Sequence, residues 1–222
     1  YFNRNNMKAL ITTIISLSMC LTTALAQNKA VEALNTMPKE LLPYISDSQL
    51  QEMGKFTIDN DTVKVKNELN GTSTVTTIND DFAKLDLSNS ALMLIKLLPL
   101  NDSTQIICLV RTIKIPLPES SVSFYTTDWK RIRSRFGLPD TRNAGAMLYD
   151  MTQKPDTMSV DRFNELRDYL DPVTISADIP EGGDIITFKI NVPFTTKEEK
   201  SKVEAIIRQK SFKWDGKSFK TC

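Results

Sequence analysis

The sequence has no histidine among its 222 residues. This absence excludes Ser-His-Asp and Cys-His catalytic sites, histidine acid–base catalysis and histidine-ligated zinc. Glycine is also scarce, with seven scattered residues, and no Walker loop, Rossmann fingerprint or nucleophile elbow can be traced. The sequence therefore predicts no cofactor and no metal site.

Long apolar runs are missing except near the start of the chain. There, Met7 and Lys8 precede the apolar residues 9–26, which end in Ala-Leu-Ala. A basic start, a short apolar core and small residues at a cleavage site are typical of a secretory signal peptide. We interpret residues 1–6 as an upstream extension and 7–26 as a signal peptide, so the mature chain begins at Gln27 and is exported to the periplasm or cell surface.

Cysteine is rare, with three residues in the whole chain. Lipidation at Cys20 is the alternative to cleavage and would anchor the protein to a membrane, although the bulky Met19 before it disfavours this. After export Cys108 and Cys222 remain, too few for a disulfide framework, and a mature chain of this length can bury a core without crosslinks. Whether these two cysteines pair stays open.

The charge of the mature chain is close to neutral. Removing residues 1–26 takes away Arg4 and Lys8 and no acid, which leaves 26 basic against 27 acidic residues. A balance of this kind argues against a general nucleic-acid-binding protein.

The hydrophobic pattern predicts an α+β fold with a mainly antiparallel sheet. Short helices are expected within 28–56, after a capping box at Ser46, and after Ser159. A further helix is expected after a capping box formed either by Thr195 with Glu198 or by Thr196 with Glu199. Runs of period two predict strands joined by short polar turns. They include a polar hairpin across Asn70-Gly71, expected to project from the body, while 133–158 resembles a linker or long loop.

The chain divides into an N-terminal half, 27–137, and a C-terminal half, 138–222. Each half has a helix, an apolar hairpin, a crossing segment and a final aromatic strand. Either a duplication or the small repertoire of α+β motifs explains this likeness, and the halves can equally form one continuous domain.

The stretch LMLIKLLPLNDSTQIICLVRT (92–112) predicts a central hairpin with an even-length loop. That register gives one fully apolar face and places Lys96 and Arg111 together on the other, partly covered by a helix. Cys108 is then a buried, unreactive thiol. The apolar face consists of Met93, Ile95, Leu97, Ile106, Cys108 and Val110.

Two clusters are candidates for function. A basic cluster beside an aromatic residue can bind polyanions or sugars, or it is an amphipathic strand end with snorkelling arginines; it consists of Trp129, Lys130, Arg131, Arg133 and Arg135. A set of acids could supply paired carboxylates to a glycosidase, or they are solvated turn residues; it consists of Asp80, Asp81, Asp150 and Asp161.

Three motifs resemble a known family: Leu97–Thr104, Cys108–Thr112 and Phe124–Trp129, after a helical segment at 37–46. The pattern is similar to a Bacteroidales-restricted family of exported proteins, domain of unknown function 3256, over nearly the whole mature chain. The resemblance implies a shared fold and a location in the periplasm or cell envelope. It implies no catalytic residue, because the family has no established activity. Where members often carry extra cysteines, this chain has IKIPLPES.

We therefore expect a non-catalytic binding or structural protein of the cell envelope. Its partner is a protein, a glycan or a lipid, and it contacts a membrane only if Cys20 is lipidated. The alternative is a carboxylate-dependent hydrolase acting on envelope or glycan substrates.

Overall fold

A computed structural model describes residues 28–55, 62–193 and 196–222 of the protein. The predicted signal peptide at 7–26 and the predicted lipidation position Cys20 therefore lie outside the described residues. Five short helices are present in the described ranges: α1 (Lys29–Asn35), α2 (Asp47–Met53), α3 (Ala144–Asp150), α4 (Val160–Asp168) and α5 (Lys197–Glu204). Among these described helices, none is long and apolar enough to cross a bilayer.

The larger of two sheets is a seven-stranded antiparallel meander whose strands follow one another in chain order. Short polar connections suit this arrangement, because an antiparallel pair needs only a hairpin to join it. The strands are β1 (Val63–Lys66), β2 (Thr72–Ile78), β3 (Phe82–Ser88), β4 (Ala91–Pro99), β5 (Gln105–Ile113), β6 (Glu119–Thr126) and β7 (Arg131–Ile132).

The smaller sheet has four antiparallel strands in the order β11-β10-β9-β8. They are β8 (Thr174–Asp178), β9 (Ile185–Asn191), β10 (Lys210–Trp214) and β11 (Phe219–Thr221). The two sheets and the short helices confirm the predicted α+β class with mainly antiparallel pairing.

Both faces of the larger sheet are buried. One face packs against α1 and α2 through residues such as Leu34 and Met53. The opposite face packs against the smaller sheet and against residues of α3, α4 and α5, for example Phe188 and Leu166. We call the cluster of buried residues on this opposite face the second core. It contains residues of both predicted halves of the chain, so the two halves pack together there. That the halves arose by duplication stays a prediction.

The central hairpin has a different register from the predicted one. Pro99 pairs with Gln105, so the loop has the five residues 100–104, an odd number. The Asn101 side chain holds this loop closed by accepting hydrogen bonds from the backbone N–H groups of Ser103 and Thr104, at 3.0 and 2.8 Å. Lys96 consequently shares a face with Cys108, and Arg111 lies on the other face.

The predicted register of this hairpin was wrong because both faces of β4 and β5 are apolar and covered by other parts of the structure. A one-residue slip exchanges the faces, and hydrophobicity selects a register only where one face meets water. The prediction for Cys108 itself is confirmed, since its side chain is completely buried.

The hairpin of β1 and β2 is also corrected. Lys66 pairs with Thr72, so Asn70-Gly71 is not a two-residue turn but part of a five-residue loop, 67–71. The buried Asn67 side chain accepts hydrogen bonds from the N–H groups of Leu69 and Gly71. The hairpin does not project from the body either: it packs against α2 and buries Val65 and Val75.

The predicted linker 133–158 contains a helix. Asn143 caps α3 by accepting a hydrogen bond from the Ala146 N–H, and Met147, Leu148 and Met151 are buried in the second core. With seven residues, or about two turns, and a glycine within it, α3 is too short to produce a clear period. Before it, Gly137 has a φ of 89°, and a Cβ there would lie 2.6 Å from the carbonyl oxygen of Phe219.

Candidate functional site

Trp129 is a core residue, so its side chain does not join the other residues of the predicted basic contact surface. Only 7% of its area is exposed. Its indole N–H donates to the carbonyl oxygen of Ala33 in α1 at 3.1 Å, and its ring lies 5.5 Å from that of Tyr125. Buried tryptophans usually find such a partner for the N–H group. Through these contacts Trp129 connects α1 to the larger sheet.

Three of the predicted basic residues do come together. Arg131, Arg133 and Arg135 line one shallow groove of about 370 Å³, and they are joined there by Arg142. Lys130 does not line this groove, and its exposed ammonium group pairs with Asp128 at 3.1 Å. We call the groove lined by Arg131, Arg133, Arg135 and Arg142 the arginine groove. It also contains Ser121, Ser123, Asp140 and Thr141.

The β6–β7 pairing explains why the arginines line up. Arg131 is the cross-strand partner of Tyr125, and Ile132 is the partner of Phe124. Successive side chains of a strand point to opposite faces. Ile132 and Phe136 pack against the second core, so Arg131, Arg133 and Arg135, which alternate with them, are directed away from it.

Asp140 organises one end of the groove. Its carboxylate accepts hydrogen bonds from Arg135 at 2.7 Å and from two nitrogens of Arg142 at 3.0 and 2.9 Å. The hydrogen bond from Arg142, and then the charge of Arg135, lower the pKa of Asp140 to about 2. Asp140 therefore stays ionised at neutral pH and holds both guanidinium groups in place.

The other end of the groove has free cations. Within the described residues, no hydrogen bond or ion pair engages the side chains of Arg131 or Arg133. The hydroxyl groups of Ser121, Ser123 and Thr141 likewise have no partner in the described part of the chain. Unpaired donors on a groove wall are available to an anionic or hydroxylated ligand.

Sequence reasoning missed Arg142, Ser121 and Ser123. The two serines alternate along β6, a signal that could have placed them on one sheet face. Arg142 carried no such signal, because only the turn at Phe136 and Gly137, both with positive φ, returns the chain towards Arg135.

The two larger grooves have mixed charges. One, of about 680 Å³ between β9 and α5, contains Lys189, Lys200 and Glu204. The other, of about 650 Å³ beside α1, contains Lys29 with Glu32 and Asp128. The excess of four arginines over one aspartate is therefore particular to the arginine groove among these three.

The four candidate acids lie in three separate parts of the structure. Asp80 and Asp81 lie between β2 and β3, and Asp81 pairs with Lys96. Asp150 ends α3 and pairs with Lys210, whereas Asp161 is exposed in the first turn of α4. None of the four lines the three grooves described above. None of these three grooves, as lined by the described residues, therefore brings two of the four carboxyl groups together over one substrate.

Both described cysteines are free thiols. Burial raises the pKa of Cys108 to about 12, so this thiol stays protonated and is no nucleophile at neutral pH. Cys222 is exposed at the end of the chain. In the described residues, no three cysteine or carboxylate side chains form a group that could hold a metal ion.

The fold and groove define an α+β protein of two antiparallel sheets with a surface cation cluster. Residues 22–219 match the sequence model of a family described as protein of unknown function, DUF3256, and the chain belongs to that family. This confirms the predicted membership. A solved domain of an uncharacterized protein from Porphyromonas gingivalis W83 has a similar fold, with a TM-score of 0.72 and 22% identity over 88% of this chain and all of that domain. A search of curated proteins finds no match.

Proposed function

We propose that this protein is an exported, non-catalytic binding protein of the cell envelope that takes an anionic partner into the arginine groove. Export is supported by the basic start, apolar core and Ala-Leu-Ala end of residues 7–26. The groove then faces an extracytoplasmic compartment. The partner is a molecule that presents carboxylate, sulfate or phosphate groups.

The observation that carries this proposal is the pair of unengaged guanidinium groups of Arg131 and Arg133. Surface arginines of a near-neutral protein commonly have acidic neighbours, as Arg135 and Arg142 have in Asp140. Two like charges on alternate residues of one segment, with no counter-ion among the described residues, repel each other, and a bound anion relieves this repulsion. Their planar donors also match the geometry of oxyanions.

The chemistry of the groove supports binding rather than catalysis. Its lining carboxyl group, Asp140, has a pKa lowered to about 2 and neither takes nor gives a proton near neutral pH. Among the described lining residues, the other ionisable side chains are arginines, which cannot act as a base to activate the hydroxyls of Ser121 and Ser123.

The test is binding of the mature chain, 27–222, to immobilised dextran sulfate. An exposed charge pair contributes up to about 1 kcal/mol, so the double variant Arg131→Gln/Arg133→Gln should bind roughly tenfold more weakly. The matched control is Lys64→Gln/Lys66→Gln, which removes the same charge from exposed positions of β1 at the opposite edge of the sheet.

The control variant should bind like the unchanged protein. Equal losses in both variants would show a general charge effect and would refute a site at the groove. Circular dichroism of each variant checks that the fold is kept, which we expect because Arg131 and Arg133 are exposed and lack described partners.

A further inference from the structure

We propose that the ligand of the arginine groove is an extended acidic glycan, bound by several of its anionic groups at once. This inference rests on the proposed function and narrows it in two respects. The ligand is long rather than a single compact anion, and it is a carbohydrate rather than an acidic protein.

The arrangement of the arginines indicates an extended ligand. Beyond β7 the chain runs on without a turn until Phe136, and alternate residues of an extended chain lie roughly 6.6 Å apart. Along a fully extended segment, the Cα atoms of Arg131 and Arg135 are separated by up to about twice that distance. A single oxyanion cannot contact both ends of such a row, whereas a chain with repeated acidic groups can.

The position of the arginines that no described residue engages also indicates an extended ligand. Arg135 and Arg142 are partly neutralised by Asp140 at one end, while Arg131 and Arg133 are unengaged by other described residues. A compact anion would be best held by converging guanidinium groups. Here the available positive charge is distributed along the groove instead.

The uncharged lining favours a sugar over a peptide. Ser121, Ser123 and Thr141 present hydroxyl groups without described partners, and hydroxyls can both donate to and accept from the hydroxyls of a glycan. Protein partners are usually anchored by apolar or aromatic side chains in a pocket. Three apolar residues, Val122, Phe124 and Ile132, also line the groove, but all three pack against the second core and offer no open apolar pocket there.

Arg111 extends the same surface across the sheet. It is the cross-strand partner of Ser121, so both side chains lie on one face. Within the described residues, no ion pair engages Arg111. A chain that leaves the groove beside Ser121 therefore meets a further guanidinium group.

The test is calorimetric titration of the mature chain with size-defined heparin oligosaccharides, from disaccharide to octasaccharide. The expected result is an affinity that rises at least about tenfold from disaccharide to hexasaccharide and then levels off. Arg131→Gln and Arg133→Gln should each reduce the gain with length. The control Lys64→Gln/Lys66→Gln should keep it, and neutral maltohexaose should not bind.

Three other results would overturn the inference in distinguishable ways. If inorganic sulfate binds as tightly as the hexasaccharide, the groove is a site for a compact anion. If poly-glutamate of equal charge binds more tightly, the partner is an acidic protein, and in both cases the proposed anion-binding function survives. If no anionic probe binds, or if maltohexaose binds equally well, the proposed function fails together with this inference.

Discussion

Lys96 is a charged residue in the middle of the larger sheet, and its ion pair offers a sharp test of the structure. Its side chain is 5% exposed, and its ammonium group donates to the Asp81 carboxylate at 2.6 Å. Its cross-strand partners are Phe82 and Cys108, so the stem is surrounded by core residues. The Asp81 side chain is 45% exposed and meets solvent.

The expected cost of Asp81→Asn follows from this asymmetry. Removing one partner of a fully buried pair costs about 3–5 kcal/mol, whereas exposed pairs contribute about 1 kcal/mol or less. Because Asp81 is half exposed, we expect an intermediate loss of about 2 kcal/mol. For a chain of this size that lowers the melting temperature by roughly 4–8 °C.

Lys96→Met should behave differently. It removes the buried charge, fills the space with an apolar chain and leaves Asp81 free to be hydrated, so we expect a change within about 1 kcal/mol. The double variant Asp81→Asn/Lys96→Met should recover most of the stability that Asp81→Asn alone loses. Urea unfolding of the three variants measures these differences. If Lys96→Met costs as much as Asp81→Asn, or if Asp81→Asn is neutral, the reasoning about an uncompensated buried charge is refuted.

Three further predictions concern other parts of the molecule. Cys222 should react with a thiol reagent in the native mature chain, and Cys108 should react only after denaturation; a fast reaction of both would contradict the buried thiol. Gly137→Ala should lower the free energy of unfolding by about 2 kcal/mol or more, since strain at positive φ adds to a clash, whereas Gly145→Ala, in the open first turn of α3, should raise it by up to about 1 kcal/mol. Because folding lowers the pKa of Asp140, its carboxylate stabilises the fold above about pH 4 and loses this effect as the pH falls towards about 2. In Asp140→Asn, the free energy of unfolding should therefore depend less on pH between about 4 and 2. An unchanged pH dependence would contradict this prediction.

Helix ends were the part of the fold best predicted from the sequence. The predicted capping box of Ser46 with Gln49 is present. Of the two boxes that the sequence left open for the last helix, the structure has Thr196 with Glu199. Ser159 also caps its helix as expected. A cap depends on side chains three residues apart, so the chain encodes it locally.

The candidate site was predicted only in part. The alternation of Arg131, Arg133 and Arg135 was visible, and the structure brings these three residues into one groove. Trp129 was assigned to the same surface because it is adjacent in sequence. Its positive φ of 61° and the packing of α1 place its indole in the core instead.

By itself, the sequence indicated four of the five described helices, the antiparallel pairing of the strands, and the family to which the chain belongs. These properties depend on residues a few positions apart. Only the tertiary structure decided the register of β4 and β5, the burial of Lys96 beside Asp81, and the meeting of Arg142 with Arg135. Each of these depends on which distant surfaces cover one another, because a strand that is apolar on both faces carries no local preference for either one.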